Sequence, residues 1–422
     1  MRRAVLLLVF LVLPVWSWAQ GLSLRFTTAM YNWERYDTVN RSSKHLRLYQ
    51  LADMSVTRLF HQRNLSFHLY GGISGDVGQR AGNDPQNLLY HAYLEWKNVF
   101  GMGRIKIGRQ RIYSGVGFGT MDGISVRLRF AHSYSFLVYA GLLAPALNEA
   151  RFESWKKAHM YGAQMLIQPM NTFRFSLSYV LRNRMPIEYL RGRFSQRVIT
   201  FAGVQNHLVG VDAWYQPTRR LRFYGRLDYD LGLQDIRRAE LTANGSFSTR
   251  LQLGIRAVHR TPYQNLNSIF SVFTQYGYDE YRLSVAYRFS PDMRFSGYGG
   301  VRSYKGDHSS FFGGGVYWKG HYAGYFRRSG YEGEGDNLVF QTQWRLSTKW
   351  VLNAGGNLFS YRIFPDIEAE RETAVAGIFG LRGRLRDWLQ LDAQIQYLKN
   401  ERYQSDIRFF FRAVYTYFRR GQ

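Results

Sequence analysis

Ile407-Arg408-Phe409-Phe410-Phe411-Arg412-Ala413-Val414-Tyr415-Thr416-Tyr417-Phe418, close to the end of the chain, is the stretch whose reading decides the fold. Successive side chains of an extended strand point to opposite faces. Ile407, Phe409, Phe411, Ala413, Tyr415 and Tyr417 therefore share one face, and Arg408, Arg412 and Thr416 the other. A strand this aromatic needs a partner strand and an apolar surrounding. The surrounding reads as lipid, and the partner as the first strand after the leader.

The same unit recurs upstream: about ten residues of alternating polarity, then a turn rich in Gly, Asn, Asp, Pro or Ser. It begins with Leu22 to Trp33 and continues to Ser405 to Phe418, with Lys44 to Val56 and Asp235 to Asn244 alternating least clearly. The fold class is all-β, a single closed antiparallel transmembrane β-barrel of about 22 strands, with 18 to 24 compatible with the pattern. The turns support this count. Pro169 to Thr172, Pro217 to Arg220, Ser290 to Met293, Lys319-Gly320, Ser347 to Lys349 and Leu385 to Asp387 are short, as expected on the periplasmic side. Gly75 to Asn87, Leu143 to Ala158, Asn183 to Asn206, Arg260 to Asp279 and Ile363 to Glu372 are long, as expected outside. Trp96, Trp214, Trp318, Trp344, Trp350 and Trp388 fall near the short-turn ends, which predicts an aromatic girdle at one membrane interface.

Composition agrees. Gly 41, Tyr 31 and Phe 30 against Pro 9 favour strands and tight turns, and no cysteine is present to form a disulfide. At the start, Arg2 and Arg3 precede the apolar run Ala4 to Trp16, and Ser17-Trp18-Ala19 resembles a cleavage site. The expected division is a secretory leader, residues 1–19, and one barrel domain, residues 20–422, with no segment large enough for a separate plug. The formal charge of +26 stays strongly positive without Arg2 and Arg3, which demands an anionic partner or a positive interior. An export signal with barrel periodicity points away from nucleic acid.

Taking each apolar face as lipid-facing puts the other face in the lumen. That phase assigns Arg127, Arg129, Arg174, Arg222, Arg226, Arg256, Arg282, Arg288, Arg345, Arg408 and Arg412 to the pore lining, beside few acids such as Glu95, Asp228, Asp230 and Asp392. Fixed arginines along water attract anions. Individual arginines can instead pair with acids or meet lipid head groups. In Arg104 to Phe130, the Gly108-Arg109-Gln110 step, the glycine-rich connection Ser114 to Gly123 and Asp122-Gly123 stand out. Here Gly115, Gly117, Gly119 and Asp122 are candidates for a constriction, and Arg109 and Arg111, in phase with Ile105 and Ile107, signal a bulge or an exit from the hydrocarbon zone. Ile269, Phe270 and Phe273, apolar in a long connection, are candidates to tuck into the mouth. Gly297, Gly299, Gly300, Gly313, Gly314, Gly315 and Gly324 read as structural, covered by neighbouring rings.

The hairpin Arg104 to Phe130 resembles one in porin-like and alginate-export outer-membrane proteins, and the closing strand resembles the signal read by barrel-assembly machinery. Arg419 to Gln422 extend beyond the terminal aromatic usual in that signal. The expected function is an outer-membrane channel for passive passage of small hydrophilic, preferentially anionic solutes, with both termini periplasmic. The expected partners are outer-membrane lipid and lipopolysaccharide, the assembly machinery and small anionic solutes, with a homo-oligomer compatible. An exporter or anchor of acidic polysaccharide is the alternative, and a wall-site lipid hydrolase a weaker one. No His-Glu-x-x-His or Gly-x-Ser-x-Gly motif appears, and the acidic stretch Asp366 to Glu372 reads as a solvated loop, so neither enzyme, cofactor nor metal is expected.

Overall fold

Alternating polarity produces 24 strands among the described residues of the computed structural model. It describes residues 19–37, 43–78, 84–131, 133–185, 187–191, 197–201, 206–261, 277–331, 333–362, 370–401 and 403–419. In chain order they are β1 (Ala19–Asp37), β2 (Ser43–Leu59), β3 (Leu65–Asp76), β4 (Gln86–Val99), β5 (Gly103–Ser114), β6 (Gly117–Phe130), β7 (Tyr134–Leu143) and β8 (Ala158–Met170). Then follow β9 (Phe173–Arg184), β10 (Ile187–Arg191), β11 (Arg197–Phe201), β12 (Asn206–Thr218), β13 (Leu221–Asp230), β14 (Asp235–Ser246), β15 (Leu251–Arg260) and β16 (Tyr278–Arg288). The last are β17 (Met293–Tyr304), β18 (Asp307–Trp318), β19 (His321–Gly330), β20 (Glu334–Arg345), β21 (Trp350–Arg362), β22 (Glu372–Arg386), β23 (Leu389–Lys399) and β24 (Tyr403–Arg419).

Twenty-two strands form one sheet, each antiparallel to its sequence neighbour, while β10 and β11 make a separate hairpin between β9 and β12. The sheet closes where β1 pairs with β24, Leu24 opposite Tyr417 and Trp33 opposite Arg408. Closure leaves no unpaired edge, the condition for a sheet to stand in hydrocarbon. Both weakly alternating stretches form strands, β2 and β14. The expected leader lies outside the described residues except for Ala19, which opens β1, and so do Ile269, Phe270 and Phe273.

Outward side chains form a broad apolar surface, with Ile255, Leu283, Leu338 and Ile395 all more than half exposed. Trp96, Trp318, Trp344 and Trp388 are exposed near the short-turn end, and Trp350 lies over Gly383 on the same outer face. Trp214 is an exception. It has the parity of Gly210, which meets the inward side chain of Val116, so its ring faces the lumen instead of joining the girdle. Gly313, Gly315 and Gly324 sit under rings: a Cβ on Gly313 would lie 3.0 Å from Tyr298, and one on Gly315 2.6 Å from Tyr322, whereas Gly314 meets the backbone of β17.

Candidate functional site in the barrel lumen

One hairpin leaves the wall. Gly108, Gly123 and Gly141 stand in a row across β5, β6 and β7. A Cβ on Gly123 would lie 2.2 Å from the Ala140 carbonyl oxygen, and one on Gly108, at φ +120°, 2.3 Å from that of Ala92. Only glycine permits so close an approach of neighbouring strands. Beyond this row β5 loses β4, whose last pairing there is Ala92 with Arg109, and β7 stops at Leu143. Strands β5 and β6 run on together as a two-stranded tongue that turns at Gly115-Val116.

The tongue bends inward. The Val116 N–H donates to Ser178 Oγ at 3.0 Å on β9, and Arg226 on β13 donates to the Gly115 carbonyl at 3.3 Å. Strands β9 and β13 are not neighbours of β6 in the sheet, and only the concave side brings them together. Ile112, Val116 and Met121 of the tongue pack with Leu137, Tyr139, Leu143, Met160 and Val180, making a buried core inside the barrel. Each such side chain contributes about 1.5–3 kcal/mol when fully buried. This corrects the expected glycine-rich connection Ser114 to Gly123: the turn comprises Gly115 and Val116, while Gly117, Gly119 and Asp122 lie within β6.

Departure of β5 exposes the edge of β4, and the connection after β7 fills the gap. Leu89 N–H donates to the Asn148 carbonyl at 2.7 Å, and Ala150 N–H to that of Asn87 at 3.1 Å. Arg109 locks this junction. Its Nε and one terminal nitrogen hold Asp122 at 2.7 and 2.8 Å, and three further N–H groups reach the carbonyls of Leu89, Glu149 and Arg151 at 2.9, 2.7 and 2.7 Å. All five guanidinium donors are used. In the same connection Arg151 donates to Glu149, which raises the Arg151 pKa above its ordinary value.

Register carries the inner face around the barrel from Ser178, Gly210 and Asp228. Arg226 stands opposite Glu240, and Arg256 opposite Arg282. By this parity Arg127, Arg129, Arg174, Arg222, Arg226, Arg256, Arg282, Arg288, Arg345, Arg408 and Arg412 all lie on the inner side. They divide into two sets. Along the inner wall, Arg226 pairs with Asp228, Arg256 and Arg238 with Glu240, Arg282 and Arg302 with Glu280, Arg412 and Arg382 with Asp392, and Arg408 with Asp406. Asp228, Glu280, Asp392 and Asp406 are buried and the Glu240 side chain is nearly so, and guanidinium partners are what allow these acids to remain ionised.

The second set is different. Arg127, Arg129, Arg174, Arg222, Arg288 and Arg345 have no acid within 4.0 Å among the described residues. They lie toward the short-turn end, and all but the half-buried Arg127 are exposed. Arg127 stands directly opposite Arg104, with Arg129 two residues on. Like charges directly opposite in a sheet are destabilising, and Glu95, 3.6 Å from Arg104, offsets this on the Arg104 side alone. Lys97, Arg104, Arg127 and Arg129 line a hollow of about 640 Å³ there.

The apolar patch behind the tongue was missed by sequence reading, although β7 carries its signal. Leu137, Tyr139 and Leu143 on one face and Phe136 and Val138 on the other make a strand apolar on both sides. Such a strand needs cover on its lumen side.

No protein-family model matches the chain, and no curated protein matches its sequence. Among solved structures, a mutant ferric enterobactin receptor (PfeA) of Pseudomonas aeruginosa superposes with a TM-score of 0.59 at 9% identity, over 93% of this chain and 80% of that one. OpdQ of Pseudomonas aeruginosa gives 0.45 at 8% identity, over 94% and 97% of the two chains. The translocation pore of the P pilus usher PapC gives 0.48 at 8% identity, over 93% and 99%. The likeness to PfeA is one of fold. The chain is a closed 22-stranded antiparallel β-barrel.

Proposed function

We propose that the chain is an outer-membrane channel for passive passage of small hydrophilic solutes, with a preference for anions. The observation that carries this reading is the set of inward arginines without acidic partners at the short-turn rim, set against inner acids most of which, Asp212 being an exception, are already neutralised. A ring of fixed positive charge around water raises the local concentration of anions and lowers that of cations. Solutes cross down their gradient, and the inward tongue narrows the path on the side of β7 to β13. The apolar outer surface is the face for outer-membrane lipid and lipopolysaccharide. The short turns and both described chain ends take the periplasmic side, the long connections the outside.

The test is planar-bilayer recording under a potassium chloride gradient. Wild-type pores should give a reversal potential favouring chloride. Arg127→Glu combined with Arg129→Glu should move it toward potassium while heat-modifiable migration still reports a folded barrel. An unchanged reversal potential in the folded double variant would refute a role for these side chains along the permeation path.

A further inference from the structure

The wall formed by β19 to β24 lies away from the tongue and carries a different chemistry. Register places Tyr322, Gln341, Gly355, Ile378, Gln396 and Arg408 in one row across consecutive strands. A second row, displaced by two residues on the same face, runs Gln343, Asn353, Gly380, Gln394 and Phe410. Residues from both rows line a hollow of about 910 Å³. A smaller one of about 320 Å³ continues it past Asn357, Gln396 and Arg408.

Three observations define what this wall would bind. First, the carboxamides of Gln341, Gln343, Asn353, Gln394 and Gln396 have no hydrogen-bond partner among the described residues. A carboxamide offers both a donor and an acceptor, as a sugar hydroxyl does, and these five stand on β20, β21 and β23, either side of the open β22. Second, Gly355 and Gly380 leave the floor open between them, with Ile378, Phe410 and Tyr322 providing apolar surfaces for the C–H faces of a sugar ring. Third, each nearby arginine is engaged by a carboxylate. Arg382 and Arg412 share Asp392 at 2.6 and 2.7 Å, and Arg408 holds Asp406 at 2.7 Å. One net positive charge is left over, on the pair that shares Asp392, so hydrogen bonding is the larger part of what this wall has to offer.

We infer that the β19 to β24 wall is a lumenal binding site for an uncharged, hydroxyl-rich saccharide. The inference rests on the channel reading. The rim arginines set the preference among ions, and the carboxamide wall sets the class of larger solute that lingers in the lumen.

The experiment records wild-type pores in a planar bilayer with maltohexaose added to one side. Concentration-dependent current interruptions are expected. Gln341→Ala with Gln396→Ala removes two hydrogen-bonding groups and should raise the half-blocking concentration about tenfold or more. Gly380→Leu, where a Cβ meets nothing closer than 3.4 Å, fills the hollow and should weaken block while leaving the barrel folded. Open pores without block by maltohexaose would overturn the saccharide site and leave the channel standing. Tighter block by an acidic oligogalacturonate of equal length would overturn the uncharged class. If no conductance appears, the channel reading fails, and calorimetric titration of maltohexaose into the micelle-solubilised chain decides the site alone. Absence of binding heat there overturns it.

Discussion

Arg109 shows how much a single side chain is asked to hold. It is 2% exposed, and its five donors satisfy a carboxylate and three carbonyls belonging to three different segments. Arg109→Ala strands the Asp122 charge in a buried place, a loss of about 3–5 kcal/mol. Removing Arg25, whose pair with Asp53 is largely open to solvent, should cost only about 0–1 kcal/mol. Urea unfolding in micelles compares the two, and proteolysis at the tongue should accelerate for Arg109→Ala alone. Arg109→Lys should recover little, because an ammonium has three donors and cannot span the fork. Equal stability of the Arg109→Ala and Arg25→Ala variants would contradict this account. The alternation that sets the inner-wall arginines on the face opposite the apolar one was legible in the sequence, because a period of two is a local property. Which of them are neutralised was not, since Arg412 and Asp392, or Arg256 and Glu240, meet only through the register of neighbouring strands. Trp214 was misplaced for a related reason: its position along the strand suited a girdle, but its parity with Gly210 and Asp212 put it inside.

At the scale of the element, the β5–β6 tongue is the departure from a plain barrel. All the wall strands were readable, including the weakly patterned β2 and β14, and so was the anomaly at Arg109. Its resolution lay in contacts far along the chain. The row Gly108, Gly123 and Gly141 becomes a bend only once β5, β6 and β7 are in register, and the tip needs Ser178, Gly210 and Arg226 to rest on. A glycine-rich stretch seen alone looks like a loop, whereas here it is a pair of strands with room to turn. Replacing residues 110–121 by a two-residue Asn-Gly turn should therefore widen the lumen and raise single-channel conductance, with the barrel still forming. It should also uncover Leu137, Tyr139, Met160 and Val180, so the variant is expected to bind an apolar dye more strongly in mild detergent. Gly123→Val offers a sharper probe of the bend, because its side chain would collide with the β7 backbone and hold the tongue out of place. Conductance equal to wild type in the folded deletion variant would show that the tongue does not narrow the path.

For the whole molecule, two arrangements of charge with different responses to salt share one lumen. The inner-wall ion pairs have covered acidic side chains, as with Glu240, Glu280, Asp392 and Asp406, and their contacts of 2.6 to 2.9 Å are poorly screened. The rim arginines act through water, where the Debye length falls from about 10 Å at 0.1 M salt to about 3 Å at 1 M. Chloride preference should thus be strong at 0.1 M and fade toward neutrality at 1 M, while unfolding midpoints in urea change little over the same range. Reversal potentials measured at a fixed concentration ratio, stepped from low to high absolute salt, follow the first trend. The second needs only denaturation curves at both ends of the range. If selectivity and stability fell together, the paired and unpaired arginines would form a single screened population, and the separation into a structural belt and a functional rim would be wrong. If selectivity persisted at 1 M, the anion would be held by direct contact in a closed site, and the hollow lined by Lys97, Arg104, Arg127 and Arg129 would be the place to look for it.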